Sequence, residues 1–170
     1  MARGAFGRVY KAKSKRDGAT VALKTVDLAG LKRHERAEAV DEARTLSRLA
    51  HPNIVRHLDS FIDGDTLGIV MEWLPGGTAH ALARAGLQGG PGGRGGCADE
   101  VAAWRIFLGA LSGLVHLHSK RVIHRDVKSM NLFLDGEGHA RVGDLGIARQ
   151  RVTHRGGSSG GDGAARAGPC

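Results

Sequence analysis

Cysteine is scarce. The 170-residue chain has only two, Cys97 and Cys170, both set among glycines. Two such residues supply neither a disulfide framework nor a metal-ligand spacing, so a reducing, intracellular and cytoplasmic setting is expected. Aromatics make up 4% of the chain, and its net charge of +8 is spread without a block of like charges. A nucleic-acid module needs a charge cluster or a stacking platform, and neither is present, so nucleic acid is not expected as a partner. No apolar run approaches the ~20 residues that cross a bilayer, so no membrane span is expected. The opening Met1-Ala2-Arg3 lacks the apolar core of a secretory signal. No internal repeat is found.

Glycine, in contrast, is abundant: 27 residues, concentrated over 87–96 and 156–168. Those stretches read as flexible or disordered. The remaining length suffices for one modest domain with a core.

Periodicity divides that remainder. Residues 3–15 read as a strand, a glycine turn and a second strand, and Asp17-Gly18 as a hairpin turn. In the next strand, 20–26, alternation places Ala22 and Lys24 on one face. A small residue beside a cation leaves room for a flat ring and reaches a phosphate. Residues 34–49 read as an amphipathic helix with Val40, Ala43, Leu46 and Leu49 on one stripe, stopped by His51-Pro52. A hairpin over 54–72, turning at Asp63-Gly64, follows, then a short helix at 78–85. The clearest helix is 98–119. There Val101, Trp104, Leu108, Leu111 and Val115 step by three and four, widened by Phe107, Leu114 and Leu117, and are expected to form core. His116 and His118 are two apart and do not share a helical face, so no metal pair is expected there.

The chain then reaches Val122-Ile123-His124-Arg125-Asp126-Val127-Lys128-Ser129-Met130-Asn131 and, after two short strands, Val142-Gly143-Asp144-Leu145-Gly146. Either alone reads as a charged turn. Together, as His-Arg-Asp-x-x-x-x-Asn and Asp-x-Gly, they resemble the catalytic and magnesium loops of eukaryotic protein kinases. Gly4-Ala5-Phe6-Gly7-Arg8-Val9 is similar to the back half of that family's Gly-rich loop, and Val21-Ala22-Leu23-Lys24 to its Lys strand. The wording His-Arg-Asp-Val-Lys-Ser-x-Asn-Leu-Phe-Leu and Gly-Asp-x-Gly-Ile-Ala-Arg looks most like the NIMA-related Ser/Thr kinases.

The resemblance implies an α+β, bilobal fold: a complete β-rich small lobe over 1–71, a hinge and the first part of the helical lobe over 72–149, and a Gly-rich tail over 150–170. It implies ATP-dependent phosphoryl transfer to Ser/Thr hydroxyls of a protein, with ATP and Mg2+ as cofactors and an activating protein as a further partner. Transfer of this kind asks the protein mainly to position groups and neutralise charge. Asp126 would orient the incoming hydroxyl as base, and Lys128 would neutralise the moving phosphoryl group. Asn131 and Asp144 offer the hard oxygen atoms that magnesium prefers. The ATP-binding set would be Gly4, Gly7, Val9, Ala22, Lys24, Glu42, Met71, Glu72, Leu74 and Phe133. Within it Glu42 pairs with Lys24, Met71 stands behind the adenine, and backbone groups of Glu72 and Leu74 bond its edge. A cytoskeletal or ciliary place is implied by the resemblance alone.

The resemblance covers 2–149 and then stops. It implies a chain cut short of the activation segment, of Ala-Pro-Glu and of the later helices, with the apolar faces of 98–119 partly exposed. Ala2 stands where the first loop glycine belongs, the strand before that loop is expected to be missing, and Leu145 replaces the usual Phe. The alternative reading is an inactive kinase fragment acting as a nucleotide-binding or scaffold module.

Overall fold

The computed structural model describes residues 2–4, 7–87, 100–145 and 149–150. The side chains of 2–4, of Glu42 and of 149–150 are outside that description, as are the tail 151–170 and nearly all of the expected flexible stretch at 87–96.

Five antiparallel strands form one sheet: β1 (Ala2–Gly4), β2 (Gly7–Lys13), β3 (Thr20–Asp27), β4 (His57–Asp63) and β5 (Thr66–Glu72), in the order β1-β2-β3-β5-β4. A strand does precede the expected glycine turn: Ala2 pairs with Val9 and Gly4 with Gly7. The two hairpins turn where the Asp-Gly pairs predicted, with Gly18 at φ 72° and Gly64 at φ 55°. That left-handed region is open to glycine at no steric cost.

Helix α1 (Arg33–Ser47) lies against this sheet. The Lys32 backbone N–H donates to the Glu35 carboxylate at 2.7 Å, satisfying one orphan donor of the first turn. Ala39, Ala43, Leu46 and Leu49 are buried with Val26, Leu67 and Ile69 of the sheet. Ala39, rather than Val40, heads the buried stripe.

The segment after α1 joins the two halves of the chain. Val142 donates its N–H to Asn53 O at 2.8 Å, and Val55 donates to Val142 O at 2.9 Å. Asn53 Nδ2 also donates to Ala140 O at 2.9 Å. Residues 53–55 thus act as an extra edge for the short hairpin β7 (Leu132–Leu134) and β8 (Ala140–Val142). Between the sheet and that hairpin run α2 (Ala79–Leu87), α3 (Glu100–Ser119) and β6 (Val122–Ile123), and β6 pairs with β9 (Arg149–Gln150).

Helix α3 corrects the expected core. Val101, Trp104, Phe107, Leu108, Leu111 and Val115 are 46–63% exposed. The buried face is Ala110, Gly113 and the expected Leu117, with Leu114, also expected, packed against the core. The reason is steric: a Cβ on Gly113 would meet Asn53 O at 2.6 Å, so the helix backbone presses directly on segment 53–55. Spacing identifies an apolar face, but close approach selects the face made of small residues. The partial exposure implied for this helix is therefore present. By length and composition alone α3 passes as a membrane-spanning helix, a test that core helices pass as well. Its small-residue face is nonetheless engaged by β8 and β6.

Candidate active site

Lys24 is supplied by the middle of β3, between Val9 of β2 and Ile69 of β5. It is 7% exposed, and its Nζ lies 3.4 Å from Asp144 Oδ1. Burial of a lysine is costly unless an opposite charge compensates it. The carboxylate comes from the other half of the chain. Asp144 itself sits at φ 57°, a left-handed conformation that Asp tolerates better than most residues. The expected partner of Lys24, Glu42, is placed on α1, but its side chain lies outside the described residues.

The loop after β6 carries Asp126. Arg125 adopts φ 68°, which turns the chain sharply. Lys128 Nζ donates to Asp126 Oδ2 at 2.6 Å, and Asn131 Nδ2 donates to the same oxygen at 3.0 Å and to Asp126 O at 2.9 Å. Both side-chain bonds fall on Oδ2, so Oδ1 is the oxygen that an incoming group would meet. The Lys128 bond foremost, and the Asn131 bond with it, hold the Asp126 carboxyl below its ordinary value of 3.8. Asn131 is 5% exposed and spends its N–H groups on Asp126, leaving its carboxamide oxygen to accept.

His124 binds the two loops together, a role the motif alone did not reveal. It is 1% exposed. Its Nε2 lies 2.9 Å from Gly143 O, and a carbonyl only accepts, so the ring proton is on Nε2. Nδ1 is then free to accept the Asp126 N–H at 3.3 Å. Gly143 N–H donates in turn to Asn131 O at 3.0 Å. One imidazole therefore sets the distance between the loop of Asp126 and the loop of Asp144. A histidine two residues before a carboxylate was the available signal.

The remaining residues of the expected set fall into two groups. Ala22 and Met71 are directly paired across β3 and β5, and Met71 also packs on the core. Glu72 ends β5, with Leu74 half-buried just after it. Phe133 is half-buried on β7, and its ring would be 2.8 Å from a Cβ on Gly143. Gly4 and Gly7 are paired across the first hairpin, and a Cβ at Gly7 would collide with Thr25 O. Val9 neighbours Lys24. Leu145 is 1% exposed, so the apolar replacement for Phe packs in the core.

The donor set fits a hard divalent cation: one carboxylate at Asp144, with the buried Lys24 at 3.4 Å from it, and one carboxamide oxygen at Asn131. Among the described residues no cluster of three or more His, Cys, Asp or Glu side chains is poised to bind a metal by itself.

Comparison with known sequences places this geometry in context. The protein kinase domain profile matches residues 1–159. Serine/threonine-protein kinase Nek8 of Danio rerio is 33% identical over 154 residues, covering 90% of this chain and 21% of the relative. Serine/threonine-protein kinase Nek4 of Mus musculus is 36% identical over 155 residues, covering 91% and 19%. Myosin-IIIb of Mus musculus is 36% identical over 161 residues, covering 91% and 12%. The chain thus spans about a fifth or less of the length of these three relatives.

Proposed function

The chain belongs to the protein kinase domain family, and from that premise we propose that it transfers the terminal phosphoryl group of ATP to Ser or Thr hydroxyls of a protein substrate. The observation that carries this reading is the convergence of two pairs: Lys24 with Asp144 at 3.4 Å, and Asp126 with Asn131 at 3.0 Å. His124 spans between them. Relatives named as serine/threonine-protein kinases support the acceptor class.

Each residue then has a task. Asp126 Oδ1 accepts the hydrogen bond of the incoming hydroxyl and aims its oxygen. Lys128, on the other oxygen, is placed to meet negative charge as it builds up. Asn131 and Asp144 would hold magnesium, which when bound neutralises charge on phosphate oxygens. Lys24 offers its ammonium to the same oxygens. Ala22, Met71, Val9 and Phe133 would enclose the adenine, with backbone groups of Glu72 and Leu74 at its edge. Gly4 and Gly7 would bring backbone N–H groups close to the phosphates.

The test is transfer of label from γ-labelled ATP to casein by the 170-residue chain and by its Asp126→Asn variant, alongside nucleotide binding by both. Transfer by the parent only, with binding kept in both, is the expected result. Binding by both with no transfer by either would favour the scaffold reading, which the exposed apolar stripe of α3 supports.

A further inference from the structure

We infer that Arg141 is a positioning residue that ties the adenine end of the proposed nucleotide site to its metal end. The inference rests on the kinase reading above, and it concerns a side chain that touches neither ATP nor magnesium in that reading.

Arg141 lies on β8, opposite Phe133 of β7 and three residues before Asp144. Its Nη1 lies 3.2 Å from Glu72 Oε1, and its Nη2 lies 3.5 Å from Asp135 Oδ2. The two carboxylates belong to different elements. Glu72 ends β5, where the chain passes to the segment proposed to bond adenine. Its Oε1 also accepts the Arg56 N–H at 2.8 Å, and its own N–H donates to Arg56 O at 3.0 Å. Asp135 organises the turn between β7 and β8, accepting the N–H groups of Glu137 at 3.0 Å and His139 at 2.9 Å on Oδ1. A single guanidinium therefore holds the end of β5 and the β7–β8 turn at a set separation.

Three properties make this more than a surface pair. The side chains of Glu72, Arg141 and Asp135 are only 15%, 24% and 19% exposed, so screening is reduced. Arg141 Nε is buried without a partner, so its two terminal nitrogens alone fix the orientation. The planar fork of Arg reaches two carboxylates at once, which a lysine, as a point charge, does not reproduce. The hairpin that Arg141 braces leads directly to Gly143 and Asp144, and through His124 to Asp126.

The consequence is specific. Adenosine uses only the adenine end of the site. Mg-ATP spans both ends and requires their separation to be correct. Loss of Arg141 should therefore weaken Mg-ATP without weakening adenosine, whereas general damage to the fold weakens both.

The experiment is calorimetric titration of the full 170-residue chain with Mg-ATP and, separately, with adenosine, for the parent and for Arg141→Gln, Arg141→Lys and Glu72→Gln. The expected result for Arg141→Gln is a rise of about tenfold in the Mg-ATP dissociation constant with adenosine changed by less than about twofold. Arg141→Lys should fall between parent and Arg141→Gln. Glu72→Gln keeps the backbone and the Asp135 contact and should reproduce the split. It decides the matter if Arg141→Gln shows no cooperative melting. Parallel weakening of both ligands, or unchanged Mg-ATP affinity, overturns the positioning role while the parent's own binding leaves the kinase reading standing. A folded parent that binds neither ligand overturns both.

Discussion

Lys24 and Asp144, 120 positions apart in the chain, meet at 3.4 Å. The contact joins the middle of the five-stranded sheet to the loop after β8, so the cleft between the two halves is closed by a charge pair. If Lys24 and Asp144 serve nucleotide and metal as proposed, both should be needed for Mg-ATP to stabilise the fold. A ligand at a hundredfold excess over its dissociation constant adds about 2.7 kcal/mol, which for a chain of this size raises Tm by roughly 5–10 °C. Differential scanning fluorimetry should find that rise in the parent and its loss in Lys24→Ala and Asp144→Ala. A full rise in either variant would contradict the assignment.

The carboxyl of Asp126 gives a pH signature. Its folded pKa lies below 3.8, chiefly through the Lys128 bond. A depressed carboxyl stabilises the folded chain at pH above its unfolded value, and that contribution is lost as pH falls through the folded value. NMR titration of the side-chain carboxyl should therefore place its midpoint below 3.8. In Lys128→Met the foremost cause is gone, and the midpoint should move upward. An unmoved midpoint would mean that Lys128 does not engage Asp126 in solution.

His124 and Gly143 hold the two loops in register, and each is sensitive in its own way. His124→Phe keeps bulk but removes the donor to Gly143 O and the acceptor of the Asp126 N–H, leaving one buried and one part-buried backbone group unpaired. The expected loss is about 2–3 kcal/mol in urea unfolding. Gly143→Ala places a Cβ 2.8 Å from Phe133 Cε2 and from Val55 Cγ2. Overpacking of this kind costs about 1–3 kcal/mol, and here it also pushes Phe133 toward the proposed adenine position. The alanine variant should thus bind adenosine more weakly than the parent, a readout that His124→Phe should affect less.

These residues also mark how far the chain could be read before its structure. Asp126, Asn131 and Asp144 lie in two short motifs that each read as a charged turn alone, and only the resemblance of the pair to the protein-kinase family singled them out. The Asp-Gly hairpins were legible from their residues directly, because a tight turn demands particular residues. Three relationships were not legible. The pairing of Lys24 with Asp144 is set by the packing of sheet against hairpin, and no local pattern encodes it. Arg141 reads as one more exposed strand residue until Glu72 and Asp135 are brought to it. On α3, Leu117 is buried and Leu114 packs on the core as expected, but the stripe of Val101, Trp104, Phe107, Leu108, Leu111 and Val115 is exposed, and Ala110 and Gly113 pack in its place. Close contact with the Asn53 backbone outweighed hydrophobicity.

That reversal on α3 predicts opposite outcomes for apolar residues a few positions apart. Leu108 and Val115 are 56% and 61% exposed, so they contribute little to the folded core. Leu108→Gln and Val115→Gln should leave stability within about 0.5 kcal/mol of the parent. They also break up a contiguous apolar surface of the kind that drives association, so the fraction of monomer should rise in light scattering. Leu117 is 0% exposed and lies in the cluster with Ile54, Val122, Val142 and Leu145. Leu117→Ala should cost about 2–5 kcal/mol and leave the tendency to associate no lower. Urea unfolding of the three variants separates the two faces. A large loss at Leu108 or Val115 would mean that this stripe is covered in solution, and the helix would then be held from both sides.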